Sequence, residues 1–457
     1  MFSKILIANR GEIALRVIRS AKELGIKTVA VYSEPDRKSL HTMYADEKVC
    51  IGPGRASESY LSIPHIMSAA EITKADAIHP GYGFLAENPR FPEICESSGI
   101  AFIGPPASII RLLGDKNQAR QEMKKARVPI IPGSDTIIED VTIAKKVAKK
   151  IGYPVILKAA SGGGGKGMRI SRAASDLEEQ FAIAQSEAKA AFGDSSLYLE
   201  KFFEDAHHIE IQIIADNRNN VSAFAERECS VQRKHQKLIE ETPSPFIDEK
   251  TRKKMVKTVQ DAAQSIGYRS LGTFEFLMDE KKRFYFMEAN ARVQVEHPIT
   301  EMVYGIDLVK EQIKVAAGET LKFPPDMKPR GHSMECRINA EDPETFIPSA
   351  GKIDFLVFPG GQGIRVDSAA YRGWDIPPDY DSMVAKIIAH APKRQDTIKK
   401  MKVALETTTF VGIKTNIPLH LDILSNTNFT HGNYSIKFLE KFLAKKTKTN
   451  RQSTGQP

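Results

Sequence analysis

The sequence has 457 residues, 41% hydrophobic and 27% charged, with a formal net charge of +8. That length allows two or three domains with substantial cores, and no apolar run approaches the ~20 residues that a membrane span needs. Five of the eight net charges fall between Lys441 and Pro457, a stretch without acidic residues. The excess therefore reads as a solvated basic tail, and no aromatic-interleaved basic patch argues for nucleic acid. Cys50, Cys95, Cys229 and Cys336 lie far apart with no CxxC pair, which signals neither zinc nor a disulfide framework and points to a reducing cytoplasm. The N-terminus is too short in apolar length for a signal peptide and reads as a first strand.

From Lys4 to Asn9 an apolar run leads to Arg10-Gly11-Glu12, after which Ala14, Val17, Ile18, Ala21 and Leu24 recur at helical spacing up to Gly25. Thr28 to Tyr32 is the next strand, so the chain opens as βαβ and predicts a parallel sheet. Further strands follow at Ala75 to His79 and Ile100 to Gly104. Pro80-Gly81-Tyr82-Gly83-Phe84 is a tight loop after a strand, where open α/β sheets place ligands. The first turn lacks GxGxxG, so a nicotinamide dinucleotide is not supported. This first domain is expected to end at 114.

A helix from Asp115 to Ala126 carries Lys116 at its start. A helix (about 141–151) and a strand (Val155 to Lys158) then lead into Ser161-Gly-Gly-Gly-Gly-Lys-Gly-Met168. Four consecutive glycines cost backbone entropy that packing does not return. Backbone approaching a ligand explains them better than a linker does, and N–H groups with a lysine suit phosphate oxygens. The spacing is not that of a P-loop. Leu197 to Phe203 is a strand with Glu200 and Lys201 at its edge. His208 to Ala215 is another, with His208, Glu210 and Gln212 on one face. Gln232, His235 and Lys237 place amide and basic groups where a strand favours apolar ones.

Glu275 lies inside the apolar run Leu271 to Met278, and a buried carboxylate there needs a partner or a metal. Across a hairpin at 279–282, Arg283 to Met287 leads into Glu288-Ala-Asn-Ala-Arg-Val-Gln-Val-Glu296-His-Pro-Ile-Thr-Glu301. If that run stays extended, Glu288, Asn290, Arg292, Gln294 and Glu296 share one face. Glu275, Glu288 and the amide of Asn290 form an oxygen cluster suited to magnesium bridging phosphates; an arginine-paired structural carboxylate is the alternative. A helix (306–317), a section of strands and turns rich in Gly and Pro, and a helix (399–406) complete the chain.

Ile7-Ala-Asn-Arg-Gly-Glu-Ile13, His79-Pro-Gly-Tyr-Gly-Phe84, Gly162-Gly-Gly-Gly-Lys-Gly-Met168, Gln232 to Lys237, Gln294-Val-Glu-His-Pro298 and Arg337-Ile-Asn-Ala-Glu-Asp342 together resemble the biotin carboxylases. The likeness spans about 1–441. It implies a mixed α/β and α+β chain with an ATP-grasp fold. The expected parts are an N-terminal parallel-sheet α/β domain (1–114), an ATP-grasp domain (115–325) with a mobile glycine-rich lid at about 131–203, a β-rich C-terminal domain (326–446), and a disordered basic tail (447–457).

Carried over residue by residue, the resemblance implies an ATP site of Lys116, Lys158, Gly163, Gly164, Gly165, Lys166, Gly167, Glu200, Lys201, Phe203, His208, Gln232, His235, Glu275 and Glu288. Magnesium or manganese falls to Glu275, Glu288 and Asn290. Bicarbonate falls to Lys237, Arg292, Gln294 and Val295, with Glu296 as its general base, and biotin to Tyr82, Arg337 and Asp381. Glu296, Arg292, Arg337 and Lys237 are the expected catalytic set. His297 and Glu301 are expected to be peripheral. Ala289 and Ala291 replace bulkier or hydroxylated residues, and Lys166 stands where arginine is frequent; altered packing rather than lost chemistry is expected.

The implied activity is ATP- and bicarbonate-dependent carboxylation of biotin on a carrier protein through carboxyphosphate, in the acetyl-CoA carboxylase reaction that supplies malonyl-CoA for fatty acid synthesis. Carboxyltransferase subunits are the further implied partners, the chain itself a cytoplasmic homodimer. The alternatives are the equivalent subunit of a pyruvate or propionyl-CoA carboxylase, another ATP-grasp ligase, and a non-catalytic nucleotide-binding scaffold. No nucleic-acid or membrane partner is expected.

Overall fold

The computed structural model describes residues 1–134, 136–159, 168–324 and 327–454. The expected ATP-binding residues Gly163, Gly164, Gly165, Lys166 and Gly167 lie outside them. Two compact units result: Met1–Val128 with His207–Phe276 and Glu288–Pro457, and Pro129–Ala206 with Leu277–Met287.

In the first unit the apolar run Lys4–Ile7 becomes the central strand of a five-stranded parallel sheet, ordered Glu47–Cys50, Lys27–Tyr32, Lys4–Ile7, Ala77–His79 and Ala101–Phe102. Ile13, Ala14, Val17, Ile18 and Ala21 bury one face of the helix Gly11–Glu23, as the 3.6-residue spacing requires. The strand order changes direction on either side of Lys4–Ile7, and open sheets bind ligands at such a switch point. Two loops meet there. The Asn9 Nδ2 donates to the carbonyls of Pro80 and Tyr82, both at 2.7 Å, and thereby closes the Asn9-Arg10-Gly11 turn onto the Tyr82 loop.

The same unit holds an antiparallel sheet ordered Phe284–Asn290, Ser270–Met278, His207–Ala215, Arg227–Arg233, Gln236–Thr242, His332–Asn339, Met383–Ala391 and Ile364–Ser368, with Val221–Ala223 paired to His207–Ala215. Its C-terminal half is packed by Ile398, Met401 and Leu405 of the helix Arg394–Glu406 and by Leu419 and Ile423 of Ile417–Ser425. The tip of the hairpin, Leu277–Met287, belongs to the second unit. That unit has a three-stranded antiparallel sheet, Met168–Ser171, Val155–Ala159 and Leu197–Lys201. Helices Val141–Ile151 and Leu177–Phe192 cover it through Ala144, Ala148, Leu177, Phe181 and Ala184.

Three expectations need correction. The strand that starts at Phe284 ends at Asn290, and residues 291–296 form a turn into the helix His297–Tyr304; Pro298 in the first turn favours that helical start. The Gln232 to Lys237 segment is not one strand but a hairpin turn, with Lys234 and His235 at φ of 47° and 67°. The basic tail is not disordered from 447: the helix Phe438–Thr454 runs through it, since neither Gly nor Pro interrupts its Lys, Arg and Gln before Gly455. Among the described residues no helix is long and apolar enough to cross a membrane.

Gly81 has φ +62°, and a Cβ there would lie 2.8 Å from the Asn9 Nδ2. Gly81→Ala is therefore expected to destabilise by about 1–3 kcal/mol through strain and overpacking. Thermal denaturation measures the loss, and an unchanged midpoint counts against the close approach.

Candidate active site

In the first unit one ammonium gathers three carboxylates. Lys237 Nζ donates to Glu210 Oε2 at 2.6 Å, Glu296 Oε1 at 2.6 Å and Glu275 Oε1 at 3.2 Å. The three acids come from different elements: Glu210 from His207–Ala215, Glu275 from Ser270–Met278, and Glu296 from the N-cap of His297–Tyr304. All three are buried. Burial opposes the charge on Lys237, yet Glu210, Glu275 and Glu296 outweigh it and hold the lysine pKa well above its usual value. Burial likewise opposes ionisation of Glu296, but Lys237, Arg337 and Arg227 keep it far below the ordinary carboxylate range. Glu275 is lowered by Lys237 and His208 against its own burial.

Arg227, fully buried, completes the floor by donating to Glu210, to Gln212 Oε1 at 2.8 Å and to Thr300 Oγ1 at 3.0 Å. Arg337 Nε reaches Glu240 Oε1 at 2.6 Å while its Nη2 reaches Glu296 Oε2 at 3.0 Å. Glu296 thus sits between Lys237 and Arg337. Glu240 is pushed up to about 7, chiefly by burial that Arg337 offsets only in part.

Glu275 also accepts from His208 Nε2 at 2.6 Å, Asn290 Nδ2 at 2.7 Å and Gln294 Nε2 at 2.8 Å. Gln232 in turn contacts His208 Nδ1. Arg292 ties the turn together, donating to Asn290 Oδ1 and Gln294 Oε1, each at 2.8 Å. So Asn290, Arg292, Gln294 and Glu296 converge although the strand stops at Asn290: side-chain bonds do what strand alternation was expected to do. Ala289 and Ala291 are buried.

A hard cation fits Glu275 and Glu288 on one observation. Burial and the Glu275 charge raise the Glu288 pKa, and a divalent cation between the two would relieve that repulsion. Asn290 fits less directly, because its nitrogen faces Glu275 and its oxygen faces Arg292. Two other sets of potential ligand atoms lie within 4.8 Å of one another, His208/Glu210/Glu275 and Glu210/Cys229/Glu296. Lys116 is exposed at the start of its helix and acts electrostatically on Glu288. His235 is exposed at the hairpin tip, apart from these bonds.

Tyr82 donates to Glu12, and burial with the glutamate charge keeps it a phenol; Arg337 and Asp381 also act on its pKa. Asp381 is exposed and accepts from the Met383 N–H at 2.9 Å. Glu301 is not part of the carboxylate cluster; it binds Arg16 at 2.8 Å and Arg365 at 2.6 Å. Within the second unit, Lys158 Nζ meets Glu200 Oε2 at 2.6 Å, Lys201 Nζ donates to the carbonyls of Gly152 and Tyr153, and Phe203 stacks on Tyr285 with centroids 5.0 Å apart.

Sequence reasoning assigned no role to Glu210, Arg227, Glu240, Glu12, Glu87 or Lys386. Glu87 accepts from Arg292 Nε at 2.8 Å. The available signal was the one that exposed Glu275, a charge inside an apolar strand: Lys386 in Met-Val-Ala-Lys-Ile-Ile-Ala has it plainly. Glu87 in a loop carries none.

The chain matches three family models: "Biotin carboxylase, N-terminal domain" over residues 1–110, "Carbamoyl-phosphate synthase L chain, ATP binding domain" over 115–323, and "Biotin carboxylase C-terminal domain" over 335–441. It is 54% identical to a biotin carboxylase of Haemophilus influenzae across 97% of this chain and 99% of that one. It is 52% identical to a pyruvate carboxylase subunit of Methanothermobacter thermautotrophicus, with 97% of this chain and 90% of that one covered. A crystal structure of a Campylobacter jejuni biotin carboxylase in complex with β,γ-ATP superposes with a TM-score of 0.91 at 51% identity, covering 96% of this chain and 99% of that chain.

Two outcomes test the electrostatics. Lys237→Met removes the one cation shared by three buried carboxylates and is expected to destabilise by about 3–5 kcal/mol, measured by urea unfolding; a loss no larger than that of a surface lysine refutes the hub. Glu240 is raised from its usual 4.5 to about 7, so the folded state holds a proton that the unfolded chain releases. Its contribution is complete below pH 4.5 and is lost as pH rises through about 7. Glu240→Gln should flatten the fall in unfolding free energy across that window.

Proposed function

The chain belongs to the biotin carboxylase family of ATP-dependent ligases, and from that premise we propose that it phosphorylates bicarbonate with ATP and passes the carboxyl group to biotin on a carrier protein. The observation that supports this most directly is Glu296 held ionised between Lys237 and Arg337. A general base must be deprotonated at the operating pH, and its strength must match its task. Glu296 engages both cations. An anionic substrate that draws them away raises the basicity of Glu296 as it binds, so the base strengthens when its acid has arrived.

In this reading Arg292, Gln294, the Val295 main chain and Lys237 hold bicarbonate, and Glu296 removes its proton. ATP falls to Lys116, Lys158, Glu200, Lys201, Phe203, His208, Gln232, His235, Glu275, Glu288 and the glycine loop. Magnesium or manganese, held by Glu275 and Glu288 with Asn290 beside them, would supply charge neutralisation on the phosphates. Bicarbonate is a poor electrophile, and transfer of the γ-phosphoryl group converts it to carboxyphosphate; positioning and charge stabilisation dominate such transfers. Carboxyphosphate breaks down to carbon dioxide and phosphate; the phosphate takes the ureido proton of biotin, charge gathers on the ureido oxygen, and the nitrogen attacks the carbon dioxide. Arg337 offers the matching cation, with Tyr82 and Asp381 near it.

We assign the chain to a multi-subunit, cytoplasmic acetyl-CoA carboxylase, as a homodimer working with a biotin carboxyl carrier protein and carboxyltransferase subunits, and hence to malonyl-CoA and fatty acid synthesis. A pyruvate carboxylase is the second reading, favoured by the likeness to the Methanothermobacter protein. Partners recovered with the native chain distinguish the two.

ATP hydrolysis is expected to depend on bicarbonate and to rise with free biotin; turnover indifferent to both sinks the assignment. Glu296→Gln should abolish bicarbonate-dependent turnover while ATP still binds, and full activity would remove Glu296 from its role. Arg337→Ala should keep some ATP cleavage and lose most biotin carboxylation. An equal loss of both would make Arg337 structural.

A further inference from the structure

The turn 294–296 is held from behind through its carbonyl oxygens. His297 Nδ1 lies 2.8 Å from the Gln294 carbonyl, and Lys386 Nζ donates to the Val295 carbonyl at 2.8 Å. His297 is fully buried, and burial, with Lys386, Arg16 and Arg365 adding to it, keeps the ring neutral. A neutral imidazole has one N–H. Facing a carbonyl oxygen, Nδ1 is assigned that hydrogen, which leaves Nε2 bare and without a hydrogen-bond partner among the described residues. Lys386, also fully buried, stands in register with Arg337 on one neighbouring strand and Asp367 on the other. Its charge is balanced by Glu12 Oε1 at 3.0 Å and Asp367 Oδ2 at 4.0 Å.

The C=O and N–H of a trans peptide point in opposite directions. The Gln294 carbonyl shares a peptide with the Val295 N–H, and the Val295 carbonyl shares one with the Glu296 N–H. Two carbonyls pinned backwards therefore turn two N–H groups forwards. Neither N–H donates to a protein acceptor among the described residues. Resting on the bicarbonate site proposed above, we infer that Lys386 and His297 are positioning residues that clamp this turn and aim its N–H groups at the bicarbonate anion. Glu12 is the counter-ion that lets a buried ammonium serve as one jaw, and through Tyr82 it joins that jaw to the loop assigned to biotin.

The full-length chain is assayed with ATP, bicarbonate and free biotin. Lys386→Met is expected to raise the KM for bicarbonate about tenfold and to leave the KM for ATP within about twofold, with partial recovery in Lys386→Arg. Losing the lysine alone also strands Glu12, so the thermal midpoint should fall. The double variant Lys386→Met/Glu12→Gln removes both charges; it is expected to regain the midpoint while the bicarbonate KM stays raised. His297→Asn keeps an N–H donor near the Nδ1 position and should stay closer to wild type than His297→Leu.

A double variant whose bicarbonate KM returns with its midpoint makes Lys386 a matter of charge balance and overturns the inference. So does a folded Lys386→Met protein with wild-type bicarbonate KM, and equal losses in both His297 variants remove the histidine. Each of these leaves the proposed function standing. Wild-type ATP turnover that ignores bicarbonate overturns both.

Discussion

The Lys237 ammonium, with three buried carboxylates around it, is the contact on which the rest of the site depends. Taking one carboxylate out of water costs several kcal/mol even after relaxation, and Glu210, Glu275 and Glu296 are all buried. No apolar packing tolerates three such groups within reach of one another. Lys237 and Arg227 offset their repulsion, and they do so only at fixed positions, which ties four strands and one helix start to a single point. The hub is thus structural and electrostatic together. It keeps an anionic floor around its cations.

Arg337 shows what that balance does for chemistry. It is shared between Glu240 and Glu296, and Glu240 lies in register with Glu335, a second buried carboxylate whose oxygens have no hydrogen-bond partner among the described residues. Burial pushes Glu335 well above its usual pKa, with Lys386 opposing and Glu240 adding to the shift. A neutral Glu335 adds no second negative charge behind Arg337. The guanidinium then keeps more of its field for an anion in front, which suits a residue assigned to the charge developing on the ureido oxygen.

Much of the fold was legible because periodicity is local. Alternation and 3.6-residue spacing located the parallel sheet, the helix Gly11–Glu23 and the hairpin that carries Glu275 and Glu288. Several site residues were legible for a related reason, since a charge such as Glu275 inside an apolar strand needs a partner. What the sequence hid was long-range. Arg292 pairs with Glu87, 205 residues away in the chain, and Lys386 reaches Val295 across 91. Nothing near Glu87 marks it. The turn at 291–296 was misjudged because Arg-Val-Gln-Val-Glu has strand alternation, while the following His-Pro starts a helix and the tertiary bonds of Arg292 and Gln294 outweigh propensity.

That turn separates two ways of placing a functional group. Glu288 and Asn290 stand on a strand, where the ladder fixes side-chain direction every second residue and the neighbouring strand brings Glu275 alongside. Arg292, Gln294 and Glu296 have no ladder. Their directions come from one another, from Glu275 and Lys237, and from the carbonyl bonds of His297 and Lys386. Along a ladder the backbone N–H groups that point into the sheet are taken up by the neighbouring strand. A clamped turn leaves them free at a fixed angle. In the proposed function, carboxylate oxygens on the strand would hold a hard cation, and a small planar anion would be gripped by the N–H groups of the turn. The break at Asn290 is therefore where the segment adds backbone N–H groups to the side chains it presents.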